Sequence, residues 1–230
     1  MTAAASALRV APDHIVVAAR TLEEGADWCL GTLGVAAGPG GRHALMGTHN
    51  RIVSLAGPAF PDCYLEIIAI DPDAPAPPRR RWFDLDSPRL QAAIAERPRL
   101  VHWVARAGAL DAALLALRAA GHDPGEPVAA ERMTTAGPLR WRITLRDDGA
   151  RPAAGAVPLL IEWRSAHPCR SLPASHVALE ALHLGGIAPE LAAALAGAGE
   201  PSVEGEAPAL VVTLATPRGR VELASPSRPG

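Results

Sequence analysis

Two histidines and two glutamates stand inside apolar stretches of the chain, where an ionisable side chain is costly unless it is paired, coordinated or hydrated. His14 opens the run His-Ile-Val-Val-Ala, and His102 lies in Leu-Val-His-Trp-Val-Ala. Glu66 lies in Tyr-Leu-Glu-Ile-Ile, and Glu162 lies in Leu-Leu-Ile-Glu-Trp. Two imidazoles and two carboxylates suit a divalent Fe, Mn, Ni, Zn or Co ion without selecting one of them. Such an ion would act as a Lewis acid that stabilises an enediolate or a comparable oxyanion.

The alternation of side chains along a strand predicts that these residues share a cleft. If each run is a strand, its neighbouring positions point to the opposite face of the sheet. Those neighbours are apolar, for example Ile15 and Val17 beside His14, and Leu65 and Ile67 beside Glu66. An apolar face suits burial beneath a helix, which leaves the ionisable residues together on the other face. The alternative is that His14–Glu66 and His102–Glu162 simply pair in a polar cleft floor without a metal.

Each histidine and glutamate belongs to a unit whose pattern reads βαβββ. In the first unit, Thr21 and Glu24 form a capping box, and Gly34 ends the helix that they start. The predicted elements of the first unit are a strand at 14–19, a helix at 22–33 and strands at 42–48, 51–56 and 63–70. Those of the second unit are a strand at 100–107, a helix at 110–120 and strands near 132–134, at 139–145 and at 158–163.

The spacing of the four residues indicates a duplicated module. His14 and His102 are 88 residues apart, and Glu66 and Glu162 are 96 residues apart. Such near-equal offsets are typical of an internal repeat with slightly different loops. The predicted organisation is a first module at 10–72, a linker with a short helix at 73–99, a second module at 100–168 and a partial βαββ module at 175–226. We expect the partial module to cover an edge or the outer face of the main sheet.

Further candidates for the cleft stand near these strands. His49 and Asn50 follow a turn and are predicted to act as a general base and a substrate contact, although His-Asn is also common hairpin chemistry. Arg140 and Arg142 share a strand face and are candidates for binding an anionic substrate. His167 lies in a loop after Glu162 that we expect to cap the site, with the His167 side chain as a substrate contact.

Composition excludes several classes of protein. Hydrophobic residues make up 49% of the chain, which excludes a disordered protein. The formal net charge of −2 argues against a nucleic-acid or membrane-surface partner. No apolar stretch approaches the roughly 20 residues of a membrane span. Three cysteines at no metal-binding spacing predict free thiols and a cytoplasmic protein, and the abundance of alanine, proline, arginine and glycine indicates a bacterial, high-GC genome. Because both modules are in one chain, we expect a monomer or a homodimer.

In their order and spacing, these motifs resemble the vicinal-oxygen-chelate superfamily, in particular its glyoxalase-like branch. The matching pieces are His14-Ile-Val-Val-Ala, Tyr64-Leu-Glu-Ile, His102-Trp-Val-Ala, Leu160-Ile-Glu-Trp, Gly47-Thr-His-Asn-Arg51, Leu139-Arg-Trp-Arg142 and His167-Pro168. The resemblance implies an α+β fold in which tandem βαβββ modules form a U-shaped mixed sheet around a cleft, with an abbreviated third module at the C-terminus.

The same resemblance implies a function. It suggests a metal-dependent lyase, isomerase or dioxygenase that acts on a small oxygenated substrate. His14, Glu66, His102 and Glu162 would hold the ion, and Glu66 or Glu162 would also shuttle a proton. In a dioxygenase only three of the four would ligate. The alternative from another class is a metal-free protein of the same fold that binds or sequesters a small molecule.

Overall fold

The structure is a computed structural model that describes residues 8–134, 137–196 and 209–226. Its strands are β1 (Val10–Ala18), β2 (Arg42–His43), β3 (Thr48–Ser54), β4 (Tyr64–Ile70), β5 (Arg99–Ala107), β6 (Glu126–Thr134), β7 (Gly137–Leu145), β8 (Leu159–Trp163), β9 (Ala178–Leu184), β10 (Leu210–Thr216) and β11 (Gly219–Ala224). Its α-helices are α1 (Leu22–Leu33), α2 (Pro88–Glu96), α3 (Leu110–Ala119) and α4 (Pro189–Ala196).

Eight of these strands form one mixed sheet, and the last three form a second, antiparallel sheet. The order in the large sheet is β2-β3-β4-β1-β5-β8-β7-β6, so the first and last strands of each module lie at its centre. β1 pairs with β4 and β5 pairs with β8 in parallel, whereas β1 and β5 meet antiparallel. The predicted α+β architecture of two βαβββ modules is confirmed.

The pairing of β1 with β5 relates the modules by an approximate two-fold axis. His14 lies opposite Val104, and His102 lies opposite Val16. Both pairs agree with the offset of 88 residues between the modules. The two histidines therefore occupy equivalent positions on the same face of the sheet.

Local sequence explains α1. The hydroxyl of Thr21 accepts a hydrogen bond from the backbone N–H of Glu24 at 3.2 Å, as the capping-box pattern predicts. Gly34 ends the helix with a φ of 78°, a left-handed conformation that glycine adopts without steric cost. The helix buries Cys29 and Leu33 in the outer core. Its predicted bounds, 22–33, are confirmed.

The hairpin between β2 and β3 differs from its prediction. The strand predicted at 42–48 ends at His43, because residues 44–47 form a turn in which Gly47 has a φ of 56°. β3 therefore starts at Thr48, and His43 pairs directly with Thr48. This register decides which histidine of the hairpin faces the cleft.

The two faces of the large sheet carry different cores. The outer face packs against α1, α3 and the C-terminal unit. The inner face forms a smaller core with the linker residues Trp82 and Phe83. None of the helices in the described residues is long and apolar enough to cross a membrane.

The C-terminal unit follows the predicted order β9-α4-β10-β11 and covers the outer face of the large sheet. The backbone N–H of Leu179 donates to the carbonyl of Leu55 at 3.0 Å, and Leu182, Leu195 and Leu214 join the outer core. Part of the predicted range 175–226 falls on residues 197–208, which lie outside the described residues.

Candidate active site

The inner face of the curled sheet encloses a cleft of about 470 Å³, part of it open to solvent. Its walls are mainly aromatic, and its polar groups are concentrated on the strands of the first module. The aromatic residues that line it are Tyr64, Trp82, Phe83, Trp141 and Trp163.

His14 and Glu66 lie side by side on the cleft floor. They project from adjacent strands, where His14 pairs with Tyr64 and Val16 pairs with Glu66. The Nε2 atom of His14 is 3.7 Å from Oε2 of Glu66, too far for a direct hydrogen bond. Both side chains are almost fully buried, at 5% and 6% exposure. The two acid–base groups thus face the same small space and are not joined by a direct hydrogen bond.

Asp13 sets the orientation of His14. It stands at a register shift of β1 between Pro12 and His14, an arrangement that re-aims side chains. Nδ1–H of His14 donates to Oδ1 of Asp13 at 2.7 Å. Burial alone would raise the pKa of Asp13, but the hydrogen bonds and charges of His14 and His167 hold it well below its usual range. The ionised carboxylate therefore holds a proton on Nδ1 of His14, and Nε2 of the ring faces the cleft.

Two further N–H groups hold Asp13 in place. Nε1–H of Trp163 and Nε2–H of His167 both donate to Oδ2 at 2.9 Å. Nδ1 of His167 accepts from the backbone N–H of Cys169, which assigns the ring proton to Nε2. His167, predicted to contact substrate, instead lies beneath the site and acts on it through Asp13.

Asn50 and His43 extend the polar network beyond Glu66. Nδ2 of Asn50 donates to Oε1 of Glu66 at 2.6 Å and lies 3.4 Å from Nε2 of His43. Oδ1 of Asn50 accepts from the backbone N–H of Gly41 at 2.7 Å. Nδ1 of His43 meets the hydroxyl of Thr48 at 3.1 Å. Asn50 does line the cleft, but its amide is occupied in orienting Glu66 and His43.

Burial and charge keep two cleft residues neutral. Burial lowers the pKa of His43 to about 4; Glu66 opposes this effect and Arg132 adds to it. Burial, then the charges of Asp13 and Glu66, raise the pKa of Tyr64 well above its usual range. Tyr64 stacks on the His14 ring with centroids 4.7 Å apart. Its hydroxyl is therefore a protonated hydrogen-bond donor beside His14.

His102 does not join His14 in the cleft. Its ring is completely buried, and Nε2 accepts the backbone N–H of Leu159 at 3.2 Å. The Phe83 ring lies 5.3 Å from it and lines a separate small pocket with it. Burial, followed by the charges of Arg151 and His14, lowers the pKa of His102 well below its usual range. The linker thus covers His102 and separates it from the main cleft.

Glu162 lies on the opposite face of β8, which corrects the prediction that it faces the cleft. Its carboxylate pairs with Arg164 at 2.7 Å and with Arg142 at 3.4 Å. Val104 pairs with Leu159, as its equivalent Val16 pairs with Glu66, so Leu159 occupies the position of the second carboxylate. The cleft side of β8 is apolar because it meets the aromatic wall, whereas the outer side near its end is partly exposed.

Three other candidates also lie on the outer face. His49 pairs with Ala69 on that face, and its Nδ1 is 3.9 Å from Oδ1 of Asp71. Arg140 pairs with Glu131 at 3.1 Å, and Arg142 pairs with Asp111 at 2.7 Å. The roles predicted for His49, Arg140 and Arg142 in the cleft are corrected, because the strand register turns all three away from it.

The predicted four-ligand metal centre is therefore not assembled. Of its four donors only His14 and Glu66 meet, and Nε2 of His102 is already engaged by a backbone N–H. Among the residues that the structure describes, no three His, Cys, Asp or Glu side chains are grouped to hold an ion. The donor set does not fit a metal held by two histidines and two glutamates.

Sequence reasoning missed Asp13, which orients His14 from beneath the cleft. It also missed His43, Tyr64 and Arg132, which line the cleft. Asp13 carried a usable signal, because it precedes His14 directly and an adjacent carboxylate often orients a histidine. The sequence around His43 does not indicate which way its side chain points. Its place follows only from the register of β2 against β3.

The fold places two βαβββ modules around one cleft, as is expected of a glyoxalase-like protein. The family of glyoxalase-like domains matches residues 13–198, and the chain belongs to this family. No curated protein matches the chain.

Several solved structures are similar to this chain. A hypothetical protein from Staphylococcus aureus is 14% identical, with a TM-score of 0.51, over 76% of this chain and 69% of that one. A methylmalonyl-CoA epimerase from Mycobacterium tuberculosis is 17% identical, with a TM-score of 0.38, over 67% and 87%. A Streptomyces coelicolor methylmalonyl-CoA epimerase variant in complex with 2-nitronate-propionyl-CoA is 16% identical, with a TM-score of 0.41, over 70% and 97%. Only the first of these has a TM-score above 0.5, so only that structure supports the fold assignment.

Proposed function

We propose that the protein is an isomerase or lyase that moves a proton at a carbon next to a carbonyl group of a small molecule. The observation that carries this proposal is the chain Asp13–His14–Glu66, which places an oriented imidazole 3.7 Å from a buried carboxylate in an aromatic cleft. A histidine whose tautomer is held by a carboxylate is a common general base.

The residues suggest the following division of roles. Nε2 of His14 takes the proton from carbon, and the electron pair of that C–H bond becomes the C=C bond of an enolate. The hydroxyl of Tyr64 donates a hydrogen bond to the enolate oxygen, a role that requires the protonated phenol. Glu66 faces the imidazolium that forms. Return of the proton to the opposite face of the same carbon, where the C=C pair forms the new C–H bond, completes an isomerisation. Departure of a β-substituent with its bonding electron pair completes a lyase reaction.

The proposal is tested by carbon–hydrogen exchange in D2O, followed by proton NMR. The probes are phenylpyruvate, pyruvate, hydroxyacetone and an acetyl thioester, which cover several classes of carbon acid. We expect enzyme-dependent exchange with at least one probe, and a loss of about 10²–10⁴-fold in His14→Gln. Absence of enzyme-dependent exchange with every probe would overturn the proposal.

A second candidate is a protein that binds a small molecule without changing it. The aromatic wall favours this function, since the rings of Trp141 and Trp163, with centroids 5.8 Å apart, both line the cleft. Tight binding of a probe that shows no exchange, unaffected by His14→Gln, would favour it over catalysis.

A further inference from the structure

Arg132 connects the two edges of the curled sheet at the mouth of the cleft. It lies on β6, pairs with Leu139 of β7, and lines the cleft with Leu139. A methyl group added to Gly41 would collide with the guanidinium of Arg132. Gly41 directly precedes β2, which is the opposite edge of the sheet. The absence of a side chain at Gly41 therefore makes room for the cationic head of Arg132.

Arg132 lacks the acidic partner that neighbouring arginines have. Within the described part of the chain, no Asp or Glu oxygen lies within 4.0 Å of its guanidinium. On the outer face of the adjacent strand, Arg140 and Arg142 are paired with Glu131 and Asp111. The charge of Arg132 instead acts on His43 and Tyr64, which line the same cleft. A cation directed into an aromatic cleft without a counter-ion is suited to an anionic ligand.

We propose that Arg132 binds the carboxylate of the ligand, and that the substrate is a small carboxylic acid with an aromatic or other planar apolar group. As a statement about substrate, this inference rests on the proposed proton transfer. As a statement about binding, it is tested independently of turnover.

The charges of the cleft favour a monoanion over a dianion. Arg132 supplies one positive charge, whereas the carboxyl group of Glu66 lies on the floor and that of Asp13 lies beneath it, 3.9 Å from Arg106. A phosphate carries up to two negative charges near neutral pH and meets more repulsion from the floor. A carboxylate matches the planar guanidinium in shape and charge.

The aromatic wall defines the rest of the ligand. Stacking against Trp141 and Trp163 is favourable for a planar ring. With its carboxylate at the mouth beside Arg132, an aromatic acid directs its remaining atoms toward His14 and Glu66.

The test measures binding of phenylacetate, phenylacetamide and phenyl phosphate by calorimetry and by tryptophan fluorescence. Arg132→Gln removes the charge, and Gly41→Ala keeps the charge but displaces the guanidinium. Arg140→Gln, on the adjacent strand but the outer face, is the matched control. Thermal unfolding of each variant confirms that it is folded.

We expect phenylacetate to bind the unaltered protein more tightly than the other two probes. Arg132→Gln and Gly41→Ala should weaken phenylacetate by about 10- to 100-fold, and leave phenylacetamide within about 3-fold. Arg140→Gln should change neither. Equal binding of acid and amide, tighter binding of phenyl phosphate, or no binding of any probe at millimolar concentration overturns the proposal.

Carbon–hydrogen exchange separates this outcome from that of the proposed function. Binding that depends on Arg132 in a protein that exchanges no probe would refute the proton transfer and retain the ligand class. If instead the protein exchanges a carboxylate probe at the same rate with and without Arg132→Gln, the proton transfer is retained and the proposed ligand class is refuted.

Discussion

Replacement of Asp13 by asparagine is expected to invert the tautomer of His14. Oδ2 of Asp13 accepts two N–H groups, from Trp163 and His167, whereas Oδ1 accepts only Nδ1–H of His14. The single oxygen of asparagine is therefore expected to take the place of Oδ2, with its NH2 group toward His14. Nδ1 must then accept a hydrogen bond, so the ring proton moves to Nε2. His14 loses the lone pair that faces the cleft.

The magnitudes follow from these contacts. Loss of a positioned general base lowers a proton-transfer rate by about 10²–10⁴-fold. For stability, three charge-assisted hydrogen bonds of about 1.5–3 kcal/mol become neutral ones of about 0.5–1.5 kcal/mol. The unfolding free energy is therefore expected to fall by about 3–4.5 kcal/mol. Asp148→Asn is the matched control, because its half-exposed carboxylate pairs with Arg146 at 2.6 Å and lies outside the cleft.

Nitrogen-15 NMR of labelled histidine reads the tautomer directly, and a His14→Gln sample assigns the signal. The expected result is a proton on Nδ1 in the unaltered protein and on Nε2 in Asp13→Asn, together with the loss of carbon–hydrogen exchange. A variant that keeps the proton on Nδ1, or that exchanges at the original rate, would refute the reasoning about Asp13.

Three further predictions separate the site from its surroundings. Glu66→Gln should lower exchange by at least about 100-fold, whereas Glu162→Gln, on the outer face, should change it by less than about 3-fold and stability by at most about 1 kcal/mol; equal losses would favour a shared metal. Because the folded pKa of His43 is about 4, below its ordinary 6.5, protonation of the unfolded state destabilises the protein as pH falls through 6.5. In urea unfolding, the free energy of unfolding of the unaltered protein should fall between pH 7 and pH 4 by about 3 kcal/mol more than that of His43→Gln. The same pH dependence in both proteins would contradict the burial of a neutral ring. His102→Ala should cost about 2–4 kcal/mol, because it leaves a cavity and an unpaired N–H at Leu159, with metal content unchanged; loss of a bound ion would support His102 as a ligand.

The hairpin between β2 and β3 shows a feature of the site that the sequence pattern did not predict. The Gly-Thr-His-Asn motif marked a turn near functional residues, and Asn50 does line the cleft. Which histidine accompanies it depends on the turn at 44–47, which pairs His43 with Thr48 and sends His49 to the other face. A shift of one residue in a strand exchanges the two faces, and sequence alone left that shift undetermined.

The sequence by itself determined the fold. Capping residues, apolar periodicity and the repeated spacing of strands are local properties, and they predicted two βαβββ modules with His14 and Glu66 on one face. Only the tertiary structure decided how the second module completes the cleft. There the register of β8 against β5 places Leu159 at the position of the second carboxylate and turns Glu162 outward. A central strand such as β8 has apolar residues on both of its faces, so the sequence pattern does not indicate which face meets the cleft. Packing against Trp141 and Phe83 decides it.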